Sequence, residues 1–244
     1  MTEQLQSDFD KIIKTSNISK KDIDSKRNYL EKFIESGFPN RKQENWKFLD
    51  ISQIIKKNIG DLSFFYDYSV SNKIDPSIFV DGLEHNKIVF INGRIEKIDF
   101  NYEDQNKIQI IDKIEKKITF NNENSLIDLN NAFTNKVFKV LVKKNYSLNK
   151  PLIIYHSTNE KIKSKNINLR LDFELEENSS IRIIDFFIDN SVKNFTNILY
   201  NFILKKNSIL KNYKIDKFYN DNLKYSFNNI EQDANSVSET FILS

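Results

Sequence analysis

The chain has 244 residues, 39% of them hydrophobic, enough for one large domain or for a small and a medium one. Its net charge of +3 comes from 37 basic and 34 acidic residues with no Lys/Arg block, which argues against nucleic-acid or membrane-surface binding. The absence of cysteine excludes disulfides, thiolate metal sites and a cysteine nucleophile, and four scattered glycines cannot build a phosphate-cradling loop. The opening MTEQLQSDFDKII carries acids and no long apolar run, unlike a secretory signal. No apolar segment approaches the ~20 residues of a membrane span, so a cytoplasmic protein is expected.

The first part reads as helical. Leu5, Phe9, Ile12 and Ile13 share one helical face. A second helix opens at Ser19, a suitable N-cap, and carries Ile23, Arg27, Leu30, Phe33 and Ile34. Gly37 supplies its stop and Pro39 follows. Residues 41–57 hold Trp46, Phe48, Leu49, Ile51, Ile54 and Ile55, read as a short irregular piece and then a helix opening near Asp50. Residues 60–86 are expected to be loop-rich, with Asp-Pro at 75–76 and Asp-Gly at 81–82.

From Lys87 the pattern turns to strands: 87–93, Arg94–Phe100, Lys107–Ile111 and Lys117–Phe120, with Gly93-Arg94 read as a tight turn. A short helix is expected at Leu126–Phe133 after Ser125, and Val137–Val142 opens a regular β region. The boundary is placed near residue 85, giving a helical region over 1–85 and a β region over 86–244.

Within the β region, asparagines recur before successive apolar runs at Asn149, Asn178, Asn207 and Asn235, and three of the four read Asn-Ser. The steps are 178 − 149 = 29, 207 − 178 = 29 and 235 − 207 = 28. A fixed period of strand, turn, strand without a helix predicts a β-solenoid, in which equivalent positions fall in columns ~4.8 Å apart. An asparagine tolerates the left-handed backbone of such a corner. Leu169, Leu171, Phe173 and Leu175 alternate with Arg170, Asp172 and Glu174, and Ile181, Ile183, Ile198, Tyr200, Phe202 and Leu204 continue the pattern. The last residues, SETFILS, read as an uncapped strand with Glu239 as its one charge, so the solenoid is expected to be truncated and its edge exposed.

Residues 37–50 read GFPNRKQENWKFLD. By chemistry alone this is a helix stop, a proline turn and a tryptophan anchor, with Arg41 and Glu44 spaced to pair and Trp46 expected to be largely buried. Gly37, Pro39, Arg41, Glu44, Trp46, Lys47 and Phe48 match a motif near the start of SufD-type proteins, with Phe38 and Asn40 departing conservatively. VFINGRI (Val89–Ile95), LIDLNNAF (Leu126–Phe133), Asn168–Arg170 and Phe195–Asn197 resemble further family segments in the same order. The chain therefore resembles the N-terminal portion of the SufB/SufD family of iron–sulfur cluster assembly scaffolds, closer to the SufD type.

That resemblance implies a right-handed parallel β-helix after an N-terminal helical region, with later coils and a C-terminal domain lying elsewhere. It implies a non-enzymatic scaffold that works with a SufB-like subunit and a SufC-like ATPase. The iron–sulfur cluster would be handled by the complex, with no cofactor bound by this chain. The only two histidines, His85 and His156, have no metal-ligand spacing and are expected to be solvated or lightly packed. Glu176–Glu177 reads as a solvated turn. The rival readings are a carbohydrate-active β-helix, which needs carboxylates converging with Arg or Lys on one face, and a structural adhesin-type solenoid.

Overall fold

A computed structural model describes residues 2–16, 18–67, 72–113, 124–134, 136–159, 162–188, 193–217 and 222–243. It is mainly β, with a solenoid of about three turns behind N-terminal helices. The expected strand at Lys117–Phe120 lies outside the described residues.

Helix α1 (Thr2–Thr15) buries Leu5, Phe9 and Ile12, the face its spacing predicts. Helix α2 (Lys20–Ser36) starts at Ser19, whose side chain accepts from the Asp22 amide, and ends at Gly37, φ 65°. Asp50 caps α3 (Ile51–Asn58) in the same way through Gln53 N. Helix α4 (Ser125–Phe133) is capped by Asn124, one residue before the expected Ser125, because the Asn124 carboxamide reaches Leu126 N. The first helices and α4 share one apolar cluster that includes Leu5, Phe9, Phe33, Phe64, Leu126, Phe133 and, from the solenoid, Phe195.

Eleven strands follow from residue 86 among the described residues: β1 (Asn86–Ile91), β2 (Arg94–Asp99), β3 (Ile108–Lys113), β4 (Val137–Val142), β5 (Leu152–Ser157), β6 (Asn166–Leu175), β7 (Ser180–Ile188), β8 (Phe195–Leu204), β9 (Ile209–Lys217), β10 (Leu223–Gln232) and β11 (Val237–Leu243). One sheet runs β2-β1-β5-β7-β9-β11 and the other β3-β4-β6-β8-β10. Within the stack the pairings are parallel, as the period predicts. The departures are at the start, where β1 and β2 form an antiparallel hairpin and β3 runs antiparallel to β4. The β1–β2 turn puts Asn92 and Gly93 at φ 54° and 76°, the pair of positive angles a two-residue hairpin needs. A Cβ on Gly93 would lie 2.7 Å from Ile167 Cγ2 and 2.9 Å from the Tyr66 hydroxyl, so this approach requires glycine.

Asn178 and Asn207 occupy the same corner of successive coils, as expected. Both are left-handed, at φ 56° and 59°, and the Asn207 side-chain amide donates to Asn178 Oδ1 at 2.9 Å. Asn235, φ 59°, continues the column. Its first member is Asn145, not Asn149: Asn145 has φ 59° and accepts from Asn178 Nδ2 at 2.9 Å. The first coil is longer by four residues. From corner to next strand it takes 152 − 145 = 7 residues where the next coil takes 183 − 178 = 5. From there to the other sheet it takes 166 − 152 = 14 against 195 − 183 = 12. The two insertions of two residues shift the apparent 29-residue register onto Asn149. That residue instead binds Glu103 through its amide and Tyr102 O through its side chain.

The lumen between the two sheets is the main core. Leu169, Leu171, Phe173 and Leu175 face it from β6, and Ile198, Tyr200, Phe202 and Leu204 from β8, in the alternation the sequence predicts. The opposite face of β6 is polar yet also buried. There Arg170 pairs with Asp172 at 3.1 Å, and α4 is docked alongside by Asn130 Nδ2, which donates to Leu169 O and Asn197 O at 3.0 and 2.8 Å. Strand β11 pairs with β9 on one side, and its Phe241, Ile242 and Leu243 are 52%, 65% and 63% exposed.

The asparagine column generates the first prediction. Asn207→Ala should lower stability by about 1–2 kcal/mol in urea unfolding, since alanine pays the left-handed penalty and ends the ladder bond. Asn207→Gly should cost less, because glycine removes only the bond. Equal losses in the two variants would show that the backbone angle contributes nothing.

Candidate functional site

Two places concentrate chemistry: a collar formed by residues 37–50 and a polar stretch of the lumen. The collar is a chain reversal after α2. Pro39 O accepts from Ile51 N at 3.0 Å, closing the loop against the start of α3. A single 3-10 turn, Glu44–Trp46, lies between. Trp46 is half-buried, not largely buried as expected: one face of its ring packs against Tyr225 of β10 at 6.1 Å and the other side meets solvent. Tyr225 is fixed in turn by Asn124 Nδ2, 2.7 Å from its hydroxyl. Arg41 is exposed and Glu44 pairs with Lys47 at 3.1 Å instead of with Arg41, because both ends of that pair point to solvent along one side of the turn. Phe48 stands 84% exposed beside Leu49 at 41%. The motif residues thus meet as a loop clamped on the outer face of β10.

Both histidines are buried, which overturns the expectation of solvated roles. His85 donates from Nδ1 to Leu83 O at 2.6 Å and accepts at Nε2 from the Tyr155 hydroxyl at 2.7 Å. Tyr155 in turn accepts from Val80 N at 3.1 Å. Burial pushes the His85 pKa down against the Leu83 bond, consistent with this neutral tautomer. The group pins the 75–85 loop over β5.

His156 lies in the lumen, stacked between Phe90 and Phe187 at 5.3 and 5.2 Å. Its Nε2 is 2.8 Å from Asp185 Oδ1, one coil further on. The Tyr200 hydroxyl donates to Asp185 Oδ2 at 2.6 Å. One step further, Lys214 Nζ sits 4.3 Å from the Tyr200 ring centroid and donates to Ser226 Oγ at 2.5 Å and Asn228 Oδ1 at 3.0 Å. Lys224 pairs with Asp216 beside it. Burial by itself raises the Asp185 pKa, but His156 and the Lys214 and Lys224 ammoniums outweigh it and hold the carboxyl well below its usual range. Burial lowers Lys214 to about 8 despite Asp185, and raises Tyr200 further with the Asp185 charge.

A second buried amine, Lys26, caps α4: its Nζ reaches the carbonyls of Ala132 and Thr134, and burial lowers it to about 8. Asp8 is likewise buried; burial raises its pKa, yet Gln4, Phe64 N and Lys11 together bring it below normal. The sequence reading missed Asp8, Lys26, Asp185 and Lys214. The available signal for the last two was a charged residue at the inward phase of an alternating strand. Glu176 and Glu177 are at a turn, as expected, pairing with Lys143 and Lys144 of the neighbouring coil. Arg94 lies 3.8 Å from Glu96. No cluster of three or more His, Asp or Glu suited to a metal ion occurs among the described residues.

No family model matches the chain. It is similar to the iron–sulfur cluster assembly protein SufD of Escherichia coli (strain K12), at 22% identity over 228 residues that cover 88% of this chain and 51% of that protein. The chain thus spans about half the length of the curated relative it matches.

Two predictions follow from the buried groups. The unfolded chain takes up more protons than the folded one between the depressed lysine values near 8 and the free value of ~10.4. Stability should therefore rise from pH 8 toward pH ~10, where unfolded tyrosines begin to ionise and reverse the trend. Lys26→Met and Lys214→Met should each flatten that rise in urea titrations. A flat wild-type profile would contradict the burial of both amines. For the collar, Trp46→Ala should cost about 1–3 kcal/mol, below the ~3–5 of a fully buried aromatic. An unchanged melting temperature would remove its clamping role.

Proposed function

We propose that this chain is a scaffold subunit of an iron–sulfur cluster assembly complex, working with a SufB-like subunit and a SufC-like ATPase. The observation that carries the reading is the similarity to SufD along 88% of the chain. The match of Gly37, Pro39, Arg41, Glu44, Trp46 and Lys47 to the family motif supports it, as does a solenoid preceded by helices.

In this reading the solenoid supplies a rigid frame and the ATPase supplies motion. The role is non-enzymatic and its setting cytoplasmic. Among the described residues no helix is long and apolar enough to cross a membrane. Without cysteine, the chain has no thiolate to offer a nascent cluster, so such ligands belong to a partner or to polypeptide beyond this sequence. The carbohydrate-active reading draws less support: Asp185 and Asp216 face the lumen in ion-paired settings rather than converging on an outer groove.

The test is co-expression of this chain, tagged, with the SufB-like and SufC-like proteins of the same genome. Co-elution of all three in one peak is the expected result. Elution of the tagged chain without either partner would defeat the reading. Anaerobic reconstitution of the isolated chain with iron and sulfide should leave no charge-transfer absorbance after desalting.

A further inference from the structure

The lumen changes chemistry along its axis. Parallel register stacks Leu152, Ile183, Asn212 and Thr240 in one column and Ile154, Asp185, Lys214 and Ile242 in the next. On the facing sheet, Leu169, Ile198 and Ser226 form one column, and Phe138, Leu171, Tyr200 and Asn228 another. Early rungs are mostly apolar apart from the His156–Asp185 pair, and the last two are lined by hydroxyls, amides and an ammonium. An ordinary solenoid lumen needs none of these, because buried polar groups cost stability unless fully bonded.

Here they are not fully bonded. Asn212 is 1% exposed, points into the lumen between Ile183 and Thr240, and has no partner for either Nδ2 or Oδ1 among the described residues. The Ser238 hydroxyl, stacked over Leu210, is buried and has no partner among the described residues either. Among the described residues, Lys214 is hydrogen-bonded to the neutral Ser226 and Asn228. The nearby carboxylates are committed elsewhere, Asp185 to Tyr200 and His156 and Asp216 to Lys224. Lys214 and Asn212 are two residues apart on one strand face, so ~7 Å separates their backbone origins.

We infer that the lumen of the last two rungs is a binding site for a small inorganic oxyanion, held by the Lys214 ammonium, the Asn212 amide and the Ser238 hydroxyl. An oxyanion supplies the acceptors that the Asn212 amide and the Ser238 hydroxyl lack and gives the Lys214 ammonium a charged acceptor besides the neutral Ser226 and Asn228. Asp185, one rung below Lys214, is an opposing charge whose carboxylate is bonded to Tyr200 and His156. This site is independent of the scaffold reading and stands or falls without it.

The experiment is thermal unfolding of the full chain in increasing sodium phosphate, against sodium chloride at matched ionic strength, with sulfate as a second tetrahedral probe. The wild type should show a saturable rise in melting temperature with phosphate and none with chloride. Lys214→Met should raise the phosphate midpoint at least about tenfold. Asn212→Leu, which continues the apolar column of Leu152 and Ile183 and should fold whatever Lys214→Met does, should do the same. The outward Lys211→Met should keep the wild-type midpoint, separating the lumen from surface lysines. No saturable response in the wild type, or a wild-type midpoint in Asn212→Leu, would overturn the inference.

Discussion

Parallel in-register stacking is the constraint on which the rest of this structure depends. Each residue of one coil sits ~4.8 Å from its equivalents in the coils on either side, so a position is chemically a column rather than a point. A column must tolerate its own repetition. Asparagine does so at the corner, because its side chain is donor and acceptor at once and its backbone accepts the left-handed turn. The result is a chain of carboxamides in which Asn207 donates to Asn178 and Asn178 donates to Asn145. Charged residues do not repeat so easily. Where Glu176 and Glu177 occur at a turn, the neighbouring coil answers with Lys143 and Lys144. Lys211 and Glu239 answer each other across the last two rungs at 3.1 Å.

The solenoid also has an outer surface, and one part of it is not left to water. Strands β6 and β8 are buried on both faces. The outward side of β8 carries Phe195 into the helical cluster and Asn197 onto Leu126 O at 2.7 Å, while Asn130 of α4 answers toward the strands. Helix α4 is itself secured by Lys26, an amine that takes the carbonyls left open at a helix end. The helices are therefore part of how the sheet is completed. Residues 37–50 extend that cover to β10 through Trp46.

The fold was largely legible because its signals are local and repetitive. Helix ends were written in Ser19, Gly37 and Asp50, and the strands of β6 and β8 in strict alternation. The mistakes have physical causes. The Asn149 assignment assumed a constant coil length, and two small insertions in the first coil defeat it. The two histidines looked solvated because a single sequence does not say what lies one coil above. His156 is buried because Phe90 and Phe187, distant in sequence, arrive on either side of its ring. Trp46 was given a deeper burial than it has, since a lone tryptophan indicates an anchor without indicating how much of it is covered.

The lumen was the least legible region, and the reason is instructive. Lys214 and Asp185 are inward by phase, but phase alone makes a buried charge look like an error in the alternation rather than a feature of it. Only the register reveals that Asp185 and Lys214 are consecutive members of one column, and that Tyr200, from the other sheet, stands between them. The column that runs through Ile88 and Ile154 therefore passes from apolar to anionic to cationic in successive rungs. Such a sequence places charge of each sign next to its opposite along the axis, so the interior carries a polarity that an apolar lumen of the same backbone would not have. A scaffold built by stacking is thus free to differ at its two ends while keeping one backbone, and in this chain the difference is concentrated where Asn212 and Lys214 face the lumen.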